Sequence, residues 1–139
     1  METDVLEPLI GRWEIPAGDG EPGEATFAWA LGRRFVEMRT SVPVEGAPDG
    51  LMIIAPAAGG GFTQHYFDSR GVVRVYAMRF DGREWTLERR AADFSPLDFH
   101  QRFEGTLSED GSRIDGRWLI SHDDGATFEV DFPLSYVRA

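Results

Sequence analysis

The sequence predicts an all-β protein, a single antiparallel up-and-down β-barrel of about ten strands with a short helical turn at its N-terminus. Turn signals recur about every ten residues, and between them apolar and polar residues alternate with the two-residue period of a half-buried strand. The first and last strand signals stand at opposite ends of the chain, so the meander closes if those two strands pair. Closure removes the exposed strand edges. We expect one domain over residues 1–139.

The N-terminal element begins with an apolar turn, Leu6–Ile10, which leads into Gly11-Arg12-Trp13 at the start of the first strand. We expect Trp13 to plug one end of the barrel and Arg138, on the last strand, to lie over its ring. A guanidinium stacked on a desolvated indole contributes on the order of 1–2 kcal/mol. Trp13 and Arg138 are therefore predicted to close the barrel.

The turns between the strands set the register. With Arg70-Gly71 as a two-residue turn, His65 lies opposite Tyr76; with Asp110-Gly111, Phe103 lies opposite Trp118. Gly32-Arg33, Asp81-Gly82 and the three-residue turn 123–125 give the remaining hairpins. The predicted inward set is mostly apolar and comprises Phe27, Trp29, Val36, Met38, Phe67, Met78, Trp85, Leu87, Phe99, Phe103, Trp118, Ile120, Phe128, Val130 and Phe132.

Polar residues interrupt this inward set. By the same register His65, Arg74, Tyr76, Arg89, Gln101 and His122 also point inward, and an unpaired buried Arg or His is costly. His65 and Tyr76 would share a hydrogen bond, with Arg74 beside them. The cluster is either a satisfied polar network at the barrel mouth or an anchor for a ligand's carboxylate, carbonyl or phenol. Arg89 and His122 lie near strand ends, where they are expected to reach solvent.

The composition excludes several classes of function. The net charge of −10 disfavours nucleic acid and membrane surfaces as partners. The chain has no Lys and no Cys, which excludes Schiff-base, disulfide and thiolate chemistry. It shows neither a signal peptide nor an apolar run of membrane-spanning length, so a cytoplasmic location is expected.

Apart from the pair His65 and Tyr76, the sequence offers no catalytic or metal-binding constellation, and no cofactor is predicted. The three histidines lack metal-ligand spacing, and no Ser stands in a nucleophile elbow. The candidate carboxylates for glycoside chemistry face outward by register; they are Glu37, Glu84, Glu88 and Glu104.

The opening Gly11-x-Trp13 and the closing Arg138 resemble calycins, the superfamily of lipocalins, fatty-acid-binding proteins and nitrobindins. Longer stretches are similar to a bacterial lipocalin-like family of unknown function; they are Leu31–Phe35, Tyr66–Gly71, Gly116–Trp118 and Tyr136–Arg138. The resemblance implies a ten-stranded up-and-down barrel.

The chain departs from these relatives at two sites. Nitrobindins bind haem through a His on the last strand, where this chain reads Asp131–Leu134 without one. Fatty-acid-binding proteins carry Arg-x-Tyr on the last strand, whereas this chain has the reverse order, Tyr136-x-Arg138, and lacks their helical lid. We therefore transfer to this chain neither the haem site of the nitrobindins nor the carboxylate site that the Arg-x-Tyr pair forms in fatty-acid-binding proteins.

The favoured function is the binding of a small, largely apolar molecule inside the barrel. The predicted polar contacts are His65, Arg74, Tyr76 and Gln101, and the predicted walls are Trp29, Met38, Trp85 and Trp118. The alternatives are an isomerase or cyclase that uses His65 and Tyr76 as acid and base, a haem-binding nitrobindin-like protein, and a self-filled scaffold that acts as a homodimer.

Overall fold

The structure, a computed structural model, describes residues 1–139 as one closed antiparallel barrel. A 3₁₀ helix, Glu2–Leu9, precedes ten strands. The strands are β1 (Gly11–Ile15), β2 (Gly23–Ala30), β3 (Phe35–Ser41), β4 (Gly50–Pro56), β5 (Phe62–Asp68), β6 (Val73–Phe80), β7 (Glu84–Arg89), β8 (His100–Leu107), β9 (Arg113–Ser121) and β10 (Glu129–Arg138). Each strand pairs with its neighbours in the chain, and β1 pairs with β10. The one helix lacks the length and apolar content that crossing a membrane would require.

The closing pair of strands carries the predicted stack. Trp13 lies opposite Arg138 in the β1–β10 ladder, with the guanidinium carbon 3.9 Å from the ring centroid. The Trp13 indole donates to the carbonyl of Leu9 at 2.9 Å. Leu6 and Leu9 are fully buried, because the helix lies across this end of the barrel and its apolar side chains fill it. The helix and Trp13 together form the plug.

Several hairpins have the predicted register. Phe27 pairs with Met38 in β2–β3, and Phe103 pairs with Trp118 in β8–β9. On the outer face of the latter hairpin, Glu104 and Arg117 form an ion pair at 3.1 Å. In β6–β7 Met78 pairs with Leu87, whereas a two-residue Asp81-Gly82 turn predicts Trp85 as its partner, so the pairing is displaced by two residues. A shift of two leaves every side chain on its predicted face.

The β5–β6 hairpin differs from the prediction by one residue, which reverses the faces of β5. Gln64 lies opposite Tyr76, and His65 lies opposite Val75 on the outside. The reason is the turn, where Asp68 accepts from the amides of Arg70 and Val72 and supports a three-residue loop. The predicted inward placement of His65 and Phe67 is therefore wrong.

The β9–β10 hairpin also differs, because a bulge separates Val130 from Phe132. Before the bulge, Phe128 lies outside the barrel, where Arg102 stacks on its ring at 4.4 Å, and Val130 is 53% exposed. After it, Phe132 pairs with Trp118. The predicted inward placement of Phe128 and Val130 is wrong, whereas the extra residue returns the later part of β10 to the predicted alternation.

Candidate ligand-binding cavity

The barrel interior contains a cavity of about 400 Å³ towards the end away from the helix. Its deeper wall is apolar and aromatic, and its mouth is formed by residues at the ends of β1, β3, β5 and β10 and in the loops beside them. The lining comprises Ile15, Met38, Thr40, Val42, Pro48, Met52, Gln64, Tyr66, Arg70, Arg74, Tyr76, Trp85, Leu87, Gln101, Phe103, Trp118, Phe132, Leu134 and Tyr136. The scaffold alternative requires an interior filled by the protein's own side chains, and the cavity shows that it is not filled.

The structure brings six of the eight predicted ligand contacts to this lining. They are Met38, Arg74, Tyr76, Trp85, Gln101 and Trp118. Trp29 and His65 do not reach it. Whether the six contact a ligand stays a prediction.

Trp29 lies at the plugged end. Its indole nitrogen donates to the Glu7 carboxylate at 3.0 Å, and the Arg33 guanidinium lies 4.1 Å from its ring centroid. The ring is on the predicted inner side of β2, but the helix occupies the space next to it. Trp29 thus holds the helix in place and does not form a cavity wall.

His65 points to the outside, where its Nε2 lies 3.1 Å from the hydroxyl oxygen of Thr63. The predicted His65–Tyr76 hydrogen bond does not form, so the enzyme alternative loses its proposed acid–base pair. No histidine is among the residues that line the cavity. A haem inside the barrel would therefore have no histidine ligand, and the haem alternative gains no support.

A polar cluster links inward side chains of β6 and β8, with β7 between the two strands. The Tyr76 hydroxyl donates to Gln101 Oε1 at 3.0 Å, and Arg74 Nη1 donates to the same oxygen at 3.5 Å. Arg74 pairs with no carboxylate, and its Nε is buried without a hydrogen-bond partner. Burial raises the pKa of Tyr76 although the Arg74 charge works against this, so the hydroxyl stays protonated at neutral pH. The cluster presents donors to the cavity.

Deeper in the cavity, further polar atoms lack protein partners. Gln64 is 4% exposed, and its Oε1 is buried without a hydrogen bond; the buried indole nitrogen of Trp85 is also unpaired. Burial alone raises the pKa of Tyr136, whose hydroxyl contacts no charged group. Such groups are costly unless a ligand or water satisfies them. Gln64 was missed in the sequence because the β5 register was displaced by one.

The rim of the cavity holds a second arginine whose charge is already neutralised. Arg70 pairs with the fully buried Asp68 carboxylate at 2.6 Å, and Tyr66 donates to the same group at 2.8 Å. Burial works to raise the pKa of Asp68, but hydrogen bonds from Arg70 and Tyr66 outweigh it and lower the pKa to about 2. Burial raises the pKa of Tyr66 to about 12. Arg74 is therefore the one lining guanidinium without a carboxylate partner.

Arg89 does not reach solvent as the sequence analysis expected. It is 3% exposed, forms an ion pair with Asp93 at 2.9 Å, and donates to the carbonyls of Ser95 and Pro96. Asp93 in turn accepts from the backbone amide of Val75 at 2.8 Å. This pair holds the β7–β8 loop against β6, next to Arg74.

Neither a protein-family model nor a curated protein matches the chain. The chain can therefore be compared with known proteins only by its architecture. A closed, ten-stranded antiparallel barrel is consistent with a calycin-like fold.

Proposed function

We propose that the protein binds a small, largely apolar molecule in the barrel cavity. The observation that carries the proposal is the cavity itself: about 400 Å³, mostly apolar, with a few convergent polar groups. Small-molecule sites have this composition and volumes of roughly 300–1,000 Å³. The plugged end and the Trp13–Arg138 stack support our proposal that the chain is a calycin of the lipocalin-like kind.

Arg74 is the proposed anchor for an oxygen acceptor of the ligand, such as a carboxylate or a carbonyl. Its buried Nε has no partner, and its Nη1 makes only a long bond to Gln101. A donor removed from water without a partner costs about 1–3 kcal/mol, which an acceptor on the ligand would recover. Tyr76 orients the Gln101 amide beside this position.

The first experiment is native mass spectrometry of freshly purified protein, combined with titration of two fluorescent probes. Nile red is neutral, and anilinonaphthalene sulfonate carries an anionic acceptor. We expect both to bind in the barrel, and Arg74→Met to weaken the anionic probe about 10- to 100-fold while changing Nile red binding little, since a hydrogen bond to a charged group contributes about 1.5–3 kcal/mol.

Arg79→Met is the matched control. Arg79 lies on the same strand as Arg74, also pairs with no carboxylate, and faces outward opposite Thr86. Its substitution should leave both probes unaffected. If neither probe bound and no co-purified mass appeared, the binding proposal would be wrong. If the Arg74→Met protein bound both probes as tightly as the wild type does, the cavity would be confirmed as a binding site, but Arg74 would not be its anchor.

A further inference from the structure

Gln64 is a polar residue at a position where the strand pattern favours an apolar one. Its inward neighbours on β5 are Phe62 and Tyr66, and Ile54 lies beside it on β4. Gln64 is 4% exposed and lines the cavity, and its Oε1 is buried without a hydrogen bond. A buried polar group without a partner lowers stability. Proteins retain such a departure from the local pattern mainly where it serves a function.

The other residues of the cavity restrict the kind of group that Gln64 can bind. Neither an aspartate nor a glutamate lines the cavity, so a cationic donor would be buried there without a counter-charge. The partner is therefore neutral. The indole nitrogen of Trp85, also buried and unpaired in this cavity, is a donor and needs an acceptor. A hydroxyl both donates and accepts, so it is the neutral group that suits either atom.

Gln64 and Arg74 lie at different depths in the barrel. In the β5–β6 ladder Gln64 lies opposite Tyr76, and Tyr66 lies opposite Arg74. Arg74 is the second residue of β6, at the end of the strand near the mouth, so Gln64 lies two residues, or about 7 Å along the strands, deeper. A ligand with an acceptor at Arg74 therefore needs its hydroxyl at a distance from that acceptor and not beside it.

The apolar walls of the cavity suit a flat ring. On one side Trp118 lies between Tyr76 and Phe103, with ring centroids 5.5 Å and 5.4 Å apart. Met38 on β3 and Met52 on β4 are ladder partners and stand five strands away from β8 and β9, across the closed barrel of ten strands. Thioethers adapt their shape and make favourable contacts with aromatic rings. An aromatic wall that faces two methionines therefore fits a planar, aromatic ligand.

We propose that the ligand is an aromatic hydroxy acid, with its carboxylate at Arg74 and its hydroxyl, at the other end of the ring system, on the Gln64 amide. This rests on the proposed function, since it requires a ligand in the cavity, and it adds the chemical class of that ligand. Gln64 is then the residue that determines specificity. An analogue without the hydroxyl leaves the amide unpaired, which is how a polar site rejects an apolar analogue.

The test is isothermal titration calorimetry with naphthoic acids that share one ring system. The distal acid carries its hydroxyl at the end opposite to the carboxylate, the adjacent acid carries it beside the carboxylate, and the unsubstituted acid has none. We expect the distal acid to bind about 10-fold more tightly than either of the others, because only its hydroxyl pairs with the buried amide.

Gln64→Met removes the amide but keeps the length of the side chain. This variant should bind all the acids about equally. Without ligand it should unfold at the wild-type temperature or above, because the unpaired group is gone. Gln64→Leu is the replacement if Gln64→Met does not fold. Thr63→Val is the matched control, because Thr63 is the preceding residue on β5 and lies between Ala55 and Ala77 on the outer face. It should keep the wild-type preference for the distal acid.

Equal binding of all the acids by the wild type would overturn this proposal but leave the cavity as a binding site, with water as the partner of Gln64. A Gln64→Met protein that still preferred the distal acid would overturn it as well. So would one that is less stable than the wild type, because the amide would then stabilise the fold without a ligand. A protein that binds Nile red but none of the acids would contradict the ligand class alone. Absence of binding by the acids and by both fluorescent probes would overturn the proposed function itself.

Discussion

The guanidinium of Arg138 lies 3.9 Å from the centre of the Trp13 ring and also binds three backbone carbonyls. It donates to Ile10 and Pro8 at 2.7 Å each and to Gly111 at 3.3 Å. One side chain from the last strand thus contacts the helix, the first strand, the residue that joins them, and the β8–β9 turn. Arg138 satisfies carbonyls at the plugged end that the ladder leaves unpaired, and it covers the indole face that the helix leaves open.

We expect Arg138→Met to destabilise the protein by about 2–4 kcal/mol, because it removes hydrogen bonds from a charged donor and the stack on Trp13. Arg138→Lys should recover part of this loss, since an ammonium keeps the charge but not the planar fork. Urea unfolding followed by tryptophan fluorescence measures both. Arg12→Met, which breaks only an exposed pair with Glu24, should cost no more than about 1 kcal/mol. Equal losses at the two positions would show that Arg138 does not close the barrel.

The barrel could be predicted because its signals are local. Alternation of period two gives the strands, turn residues give the hairpins, and closure follows from a Gly-x-Trp13 at one end and Arg138 at the other. Where the loop is centred on the expected residues, as at Asp110-Gly111, the pairing of Phe103 with Trp118 followed directly. An error of two residues, as in β6–β7, left the faces unchanged.

The errors arise where the register or the burial of a residue depends on a particular side-chain contact or a bulge, which the alternation of apolar and polar residues does not encode. Asp68 accepts hydrogen bonds from two turn amides and supports a three-residue loop in place of the expected two-residue turn. The one additional loop residue shifts the register of β5, so His65 lies outside the barrel and Gln64 lines the cavity. The bulge between Val130 and Phe132 likewise leaves Phe128 outside, where Arg102 stacks on its ring. The burial of Arg89 depends on a loop aspartate, Asp93, whose position no alternation encodes.

Two glycines on the inner face make room for Phe103. A Cβ at Gly116 would lie 2.5 Å from Phe103 Cζ and 2.9 Å from the carbonyl oxygen of Leu134, and one at Gly105 would lie 2.8 Å from the same ring. Phe103 is fully buried and cannot withdraw. We expect Gly116→Ala to destabilise the protein by about 1–3 kcal/mol through overpacking.

Thermal unfolding of the Gly116→Ala protein measures this effect. Gly59→Ala is the control, because a Cβ there meets nothing within 4 Å. A Gly116→Ala protein that unfolds like the Gly59→Ala protein would mean that the Phe103 ring has space to move, in which case the cavity beside it is larger than described.

The buried ion pair of the β7–β8 loop gives a prediction on coupling. Asp93→Ala should cost about 3–5 kcal/mol, because it leaves the Arg89 guanidinium buried without its counter-charge. Adding Arg89→Met should cost less than the sum of the two single changes, since the second change removes the stranded charge. Urea unfolding of the two single variants and the double variant forms the cycle. Asp98→Ala, at an exposed position of the same loop, should change little. Strict additivity would contradict the pairing.

Asp68 should make stability depend on pH in the acid range. Its pKa is lowered in the folded protein to about 2 from an ordinary 3.8, so the folded state favours the carboxylate. A carboxyl with a lowered folded-state pKa contributes stability that is complete above about pH 4 and is lost as the pH falls towards 2. We expect this contribution to be about 1–2 kcal/mol, in line with hydrogen bonds to a charged acceptor.

Asp68→Asn removes the charge but keeps a similar shape, so its free energy of unfolding should lie below the wild-type value at pH 7 and approach it between about pH 4 and pH 2. Urea unfolding at a series of pH values measures the difference. Asp19→Asn, in the exposed β1–β2 loop, should follow the wild type at every pH. If the gap at Asp68 stayed constant down to pH 2, the loss would come from shape and not from charge. The three-residue turn that places Gln64 in the cavity would then not depend on an ionised Asp68.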